Sequence, residues 1–196
     1  MYTIKAKYDG LVPLMMDRFY NIADATTGAS TKKGKKQGDA EIALKLHKSE
    51  TGVFVPADNI RMMLIGNVHR RGAAKILGSD IEKGKGTKYQ SMVEGCLWVV
   101  GPKDPARVYF DRNRLTYDDI DERSFINKTG GRGITKRPLI LTPWSLQFQI
   151  QVTDDKLHES FVRELFDVAG LRCGLCAYGP TFGRCVISEW EVQGAE

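Results

Sequence analysis

The sequence predicts an α+β fold built on a β-α-β-β-α-β core, and three observations carry that expectation. The chain opens on a period-two pattern, in which Tyr2, Ile4, Ala6 and Tyr8 alternate with Thr3, Lys5 and Lys7. Apolar residues at helical spacing follow two strand-like stretches, one ending at Val55-Pro56 and one at Val152. A glycine-rich loop then leads into a terminal strand, Cys185–Val192.

Taken in order, Asp9-Gly10 ends the first strand and Leu11–Met16 reads as an apolar loop. Residues 26–38 place lysines among Gly, Ser and Thr without apolar periodicity and are expected to form a mobile loop. Asp39 has the character of an N-cap for a short helix through Ala40, Ala43, Leu44 and Leu46. Gly52–Val55 is a short strand closed by Pro56. From there Ile60, Met63, Leu64, Val68 and Ala73 predict one helix to about Leu77, stopped by Gly78, with Arg61, His69, Arg70, Arg71 and Lys75 on its other face. Lys83–Lys88 reads as a second Gly-Lys loop, and Cys96–Val100 and Arg107–Phe110 as strands. Residues 111–137 alternate acidic and basic stretches with little apolar content, which marks an excursion from the core. Leu139–Leu141 and Leu146–Val152 are strands, the second with its apolar residues on one face. Asp154 or Asp155 caps a helix through Leu157, Phe161, Leu165 and Val168, which Gly170 ends. Without its excursions this order is that of a ferredoxin-like (RRM-like) core. Such a core serves many functions and names none.

The whole chain, 1–196, reads as one domain, with the basic loop at 26–38 and an inserted excursion at about 103–137. Its 42% hydrophobic and 27% charged residues are ordinary for a globular protein. No run of 18 apolar residues predicts a membrane-spanning helix. The start, Met1-Tyr-Thr-Ile-Lys5, lacks the layout of a secretory signal, so the four cysteines are expected as reduced thiols in the cytoplasm, away from any membrane.

Charge separates the two halves. Residues 1–100 carry 16 basic and 10 acidic side chains, a net of +6, whereas residues 101–196 carry 13 and 14, a net of −1. Such asymmetry suggests a face that meets a polyanion. Three glycine-flanked basic loops supply candidates: Lys32, Lys33, Lys35 and Lys36; Lys83, Lys85 and Lys88; and Arg132 with Lys136. Cations on mobile stems follow a phosphate backbone without base-specific geometry. A solubilising surface explains any one such run, but three in one basic chain favour nucleic acid. Arg70, Arg71 and Lys75 add a basic helix face, with Arg71 and Lys75 one turn apart. Tyr8, Phe19, Tyr20, Tyr89, Tyr109 and Tyr178 are aromatics able to stack on unpaired bases. Tyr178, in the terminal glycine loop, and Tyr89, just after the second Gly-Lys loop, are the better candidates, whereas Tyr8 and Tyr109 fall at core positions.

Three stretches together resemble the RAMP superfamily, which includes the backbone subunits of CRISPR effector complexes. They are Gly10–Phe19 after the first strand, Gly52–Arg61 across the strand–Pro–helix junction, and the terminal loop ending Tyr178-Gly-Pro-Thr-Phe-Gly183-Arg184. The chain is also similar to small backbone-like proteins of phage and mobile elements, through Arg137-Pro138 and Trp144. The resemblance implies a palm built on the ferredoxin-like sheet, an inserted thumb-like excursion and side-by-side assembly of copies along one strand. It places the Arg61–Lys75 helix along the palm, and Tyr178 and Arg184 beside the bound strand. The ligand it implies is single-stranded nucleic acid, RNA in preference to DNA, with other effector subunits as further partners.

No catalytic residue, metal ligand or cofactor site is assigned. His47, His69 and His158 are widely separated, and the acidic run Asp118–Glu122 reads more simply as a solvated surface than as a Mg²⁺ site. Cys173-Gly-Leu-Cys176 lacks the second ligand pair that a structural zinc needs. The expectation is a non-enzymatic binder. The alternatives are a phage single-stranded DNA-binding or recombination protein, a metal-dependent nuclease using Asp118–Glu122, and a protein-binding inhibitor of an effector.

Overall fold

The computed structural model describes residues 1–20, 38–67, 70–126 and 130–194. In chain order these form β1 (Tyr2–Gly10), β2 (Leu14–Met15), α1 (Asp39–Ala43), β3 (Phe54–Pro56), α2 (Ala57–Ile65), β4 (Gly66–Asn67) and β5 (Arg70–Arg71). Then come α3 (Ala73–Ile81), α4 (Gly86–Cys96), β6 (Leu97–Val100), β7 (Arg107–Tyr109), β8 (Asp119–Ile126), β9 (Arg132–Ile140) and β10 (Ser145–Val152). The chain ends with α5 (Glu159–Val168), a π-helical turn (Ala169–Cys173) and β11 (Cys185–Gln193). The fold is α+β, and no helix among the described residues is long and apolar enough to cross a membrane.

The main sheet has the order β11-β1-β10-β6, with every neighbouring pair antiparallel. This is the order in which a β-α-β-β-α-β chain lays down its strands when each helix crosses back over the same face. The alternation in β1 and β10 decides which face that is. Ile4, Ala6 and Tyr8, and Leu146, Phe148, Ile150 and Val152, are buried beneath the helices. Phe148 stacks on Phe166 of α5 at 5.8 Å, and the buried Tyr8 hydroxyl donates to the Phe166 carbonyl at 2.8 Å. Each of the larger apolar side chains withdrawn from water contributes about 1.5–3 kcal/mol.

Several expectations are corrected here. The helix expected from Pro56 to Leu77 is two helices. Gly66, at φ +77, ends α2 in a conformation that a side chain would strain, and a β4–β5 hairpin pair (Gly66↔Arg71, Asn67↔Arg70) intervenes before α3. Arg71 therefore lies on a strand and does not share a helix face with Lys75. The expected loop Lys83–Lys88 is a turn that gives way to α4, in which Val93 is fully buried. Gly170 does not end the last helix, because the chain continues through the π-helical turn to Gly174 at φ +70. Helix α5 itself begins after His158. The apolar Leu11–Met16 contains β2, which pairs with Ile140 and Leu139 of β9. Within the excursion lies a long hairpin, β8–β9, paired from Asp119↔Leu139 to Ile126↔Arg132.

Candidate nucleic-acid interface

The terminal glycine loop is stitched to two other segments. Leu11 and Ala177 backbone amides donate to Arg184 and Met15 carbonyls at 2.8 and 3.0 Å, and Gly183 donates to Pro13 at 2.9 Å. From the other side Arg70 enters from β5. Its guanidinium donates to the carbonyls of Gly174 at 2.8 Å, Cys176 at 3.3 Å and Cys173. One planar fork with five donors suits three converging carbonyls. Gly179 faces that fork, where any Cβ would collide with the guanidinium.

Two cavities flank the β4–β5 strands. The first, about 350 Å³, lies between the segment after β2, helix α2 and the glycine loop. Met16, Phe19, Met62 and Met63 give it apolar walls, and His47 and Asn59 give it polar edges. Burial, with Arg18 nearby, holds the His47 imidazole below its ordinary value of 6.5, which favours the neutral ring. Phe19 is 95% exposed. The second cavity, about 330 Å³, is bounded by Arg71, Lys75, Gln90 and Ile65. Asn67 and Arg70 line both. Gly86, at the start of α4, packs on the Lys75 carbonyl, which puts the Lys83–Lys88 turn beside the second cavity.

A third feature is contributed by the hairpin. Tyr178, 46% exposed, stands between the Arg137 and Arg123 guanidiniums, whose carbons are 4.9 and 5.2 Å from its ring centre. Arg137 also donates to Asp17 at 2.6 Å, and Asp17 lies 3.9 Å from the Nζ of the buried Lys45. Lys45 in turn donates to the Lys136 carbonyl at 2.6 Å and to Thr135 at 3.2 Å. Desolvation lowers the Lys45 pKa. The hairpin is thus fastened to the glycine loop and to the segment after β2.

The candidates from the sequence fall into distinct places. Lys32, Lys33, Lys35 and Lys36, most of the 26–38 loop, and His69 lie outside the described residues. Arg71 and Lys75 line the second cavity, whereas Lys83, Lys85 and Lys88 are exposed on the adjoining turn and the start of α4, with Lys85 3.9 Å from Glu82. Arg61 lies elsewhere: it donates to the carbonyls of Glu94 and Leu97 at 2.6 and 3.1 Å, capping the end of α4, and covers Trp98 at 4.3 Å. Arg70 is occupied by the glycine loop. Arg132 is exposed near the hairpin tip, and Lys136 pairs with Glu122 at 2.9 Å on the strand face opposite Arg123 and Arg137. Arg184 is exposed at the end of the glycine loop. Tyr89 packs on Gly78 and on Phe161 at 5.8 Å, so it holds α4 to its neighbours.

Arg18, Asn59, Arg123 and Arg137 are site residues that the sequence does not single out as ligand contacts, and Phe19, one of the stacking aromatics it offers, ranks there below Tyr178 and Tyr89. For Arg18 the signal is local, a cation beside that aromatic and two residues after the apolar Leu14–Met16. The open sheet face, where RRM-type proteins stack bases, is polar along β1 and β10, with Gln147, Gln149 and Gln151. Its Lys7 is held by Asp111 at 2.9 Å and Glu189 at 3.3 Å.

The acidic run is dispersed among partners. Asp118 pairs with Arg114 and accepts from the Leu141 amide at 2.8 Å; Asp121 pairs with Arg123 at 2.6 Å. Among the described residues no three His, Cys, Asp or Glu converge as metal ligands. Burial pushes the Cys176 thiol up to about 12 and raises Cys173 and Cys185 as well, which suppresses thiolate chemistry there.

No family model matches the sequence, and no curated protein matches it. Among solved structures, the chain is similar in fold to a chain in the cryo-EM structure of the Type III-B Cmr-beta bound to cognate target RNA. The TM-score is 0.53 at 10% sequence identity, covering 100% of this chain and 61% of that one. This chain thus spans about three-fifths of the other's length.

Proposed function

We propose that this protein is a non-enzymatic single-stranded nucleic-acid-binding subunit of the CRISPR effector backbone type, assembling side by side along RNA. The observation that carries the reading is the cationic cavity of Arg71 and Lys75, with the Lys83–Lys88 turn beside it and no carboxylate among the described residues that line it. The likeness over the whole chain to a chain of an RNA-bound assembly supports the choice of ligand. The acidic run has its carboxylates engaged by cations and amides, which supports binding without cleavage.

The test is equilibrium binding of labelled single strands across a salt series, with wild type and the Arg71→Glu/Lys75→Glu double variant. Both side chains lie outside the core, so the fold is expected to persist. Wild-type affinity should fall steeply with salt. The variant should bind at least tenfold more weakly with a shallower slope, about 0.7 less for each phosphate it no longer neutralises. Unchanged affinity in the variant would overturn the assignment of this cavity. Tighter binding of DNA than RNA of the same sequence would turn the reading toward a phage single-stranded DNA-binding protein. Solution mass with and without the strand reads out the side-by-side assembly.

A further inference from the structure

We infer that the apolar cavity in front of the β4–β5 strands receives one unstacked base, while the phosphate of the same nucleotide lies in the cationic cavity behind them. This deepens the reading of the chain as a single-strand binder and rests on it. The two cavities share Asn67 and Arg70 as walls, so they are separated by the thickness of one strand pair. Their linings differ in kind. The cavity behind is lined by Arg71 and Lys75 as well as the engaged Arg70, with no acid among the described residues. The cavity in front has three methionines and the exposed ring of Phe19, and it carries Asp17 as well as Arg18, so it offers a phosphate little.

What the front cavity offers instead is what a base requires. Phe19 and the methionines give flat, polarizable contact to a ring. Asn59 carries both a donor and an acceptor, and a neutral His47 carries one of each, which matches the mixed edge of a nucleobase. Arg70 does not compete for the ligand's charge, because three carbonyls of the glycine loop already engage its guanidinium. A volume of about 350 Å³ lies at the small end of the range for ligand cavities.

The test compares two labelled single strands of equal length, one with all its bases and one with abasic spacers throughout, by fluorescence anisotropy. The proteins are wild type, Phe19→Ala and Ala177→Leu. Phe19 is 95% exposed, so trimming it leaves the core untouched, and Ala177→Leu narrows the front cavity. Wild type is expected to prefer the base-bearing strand about tenfold, the scale of one stacked base. Both variants should lose most of that preference while keeping wild-type affinity for the abasic strand and an unchanged salt slope. Equal wild-type affinity for the two strands would overturn the base site and leave the phosphate site standing. So would variants that weaken both strands alike. Failure of wild type to bind either strand would overturn the single-strand reading itself, and this inference with it.

Discussion

Replacing Arg70 by Met should unravel the glycine loop rather than simply remove a positive charge. The guanidinium is the donor for the carbonyls of Cys173, Gly174 and Cys176, and the first two residues are buried. A hydrogen bond to a charged group contributes roughly 1.5–3 kcal/mol net, and a buried carbonyl left without a partner keeps the penalty of its desolvation. Taking the low end for the two buried acceptors gives about 3 kcal/mol, with the half-buried Cys176 adding less. At about 2–4 °C per kcal/mol for a chain of this size, the melting temperature should fall by roughly 10 °C. Arg70→Lys should recover about a third of the loss, since a single ammonium on a shorter reach satisfies one acceptor of the three. Thermal melting by circular dichroism measures the total, and hydrogen exchange at the Leu175 and Gly183 amides localises it, because both belong to bonds that hold the loop. A variant that melts within about 2 °C of wild type yet loses strand binding would refute the reasoning: Arg70 would then be directing its charge at a ligand.

Three further outcomes are expected. The His47 pKa is lowered in the folded chain, so below its ordinary 6.5 the unfolded chain takes up a proton that the folded chain refuses. Stability is therefore complete above that value and declines as pH falls below it; denaturant titrations from about pH 8 to about pH 5 should show a slope that His47→Gln removes. With the Cys176 thiol at about 12 and Cys173 and Cys185 also raised, all three should alkylate slowly in the native protein at mildly alkaline pH and rapidly in denaturant, as read by mass spectrometry. Native labelling of Cys176 at the denatured rate would contradict its raised pKa. Gly170→Ala should cost roughly 2 kcal/mol by thermal melting, because its Cβ would press on the Cys185 carbonyl at the start of β11.

The sheet was legible because its strands bury one face only: Tyr2–Tyr8 and Leu146–Val152 announce both their period and their inner side. Helix α5 was legible for the same reason, through Phe161, Leu165 and Val168. The break between α2 and α3 was not. Apolar residues at 60, 63, 64 and 73 sustain a helical rhythm across a segment where Gly66 turns the chain out, and only its positive φ reveals the stop. Helix α4 was hidden by Lys88 and its two glycines beside the Lys83–Lys85 turn, although Tyr89, Met92, Val93 and Cys96 keep the spacing of one helix face. Hairpin β8–β9 carries charge on both faces, so no alternation marks it. The basic residues around the second cavity could be nominated from composition. Separating Arg71 and Lys75 from Arg61 and Arg70 required tertiary contacts, because a cation reads the same in sequence whether it meets solvent or a cluster of carbonyls.

Gly66 and Gly72 touch each other, so the chain leaves the helical layer and rejoins it at a single point. Such a doorway can be fitted with a different insert without disturbing the frame around it. The cost of closing a longer excursion rises slowly, by about 0.6 kcal/mol for each doubling of its length. Segments of varied length and chemistry grafted between these two glycines should therefore be tolerated as long as they keep Arg70, which holds the glycine loop. Arg70 apart, the wall dividing the two cavities is in that sense an exchangeable cassette, through which ligand preference can change while the sheet and its helices stay as they are.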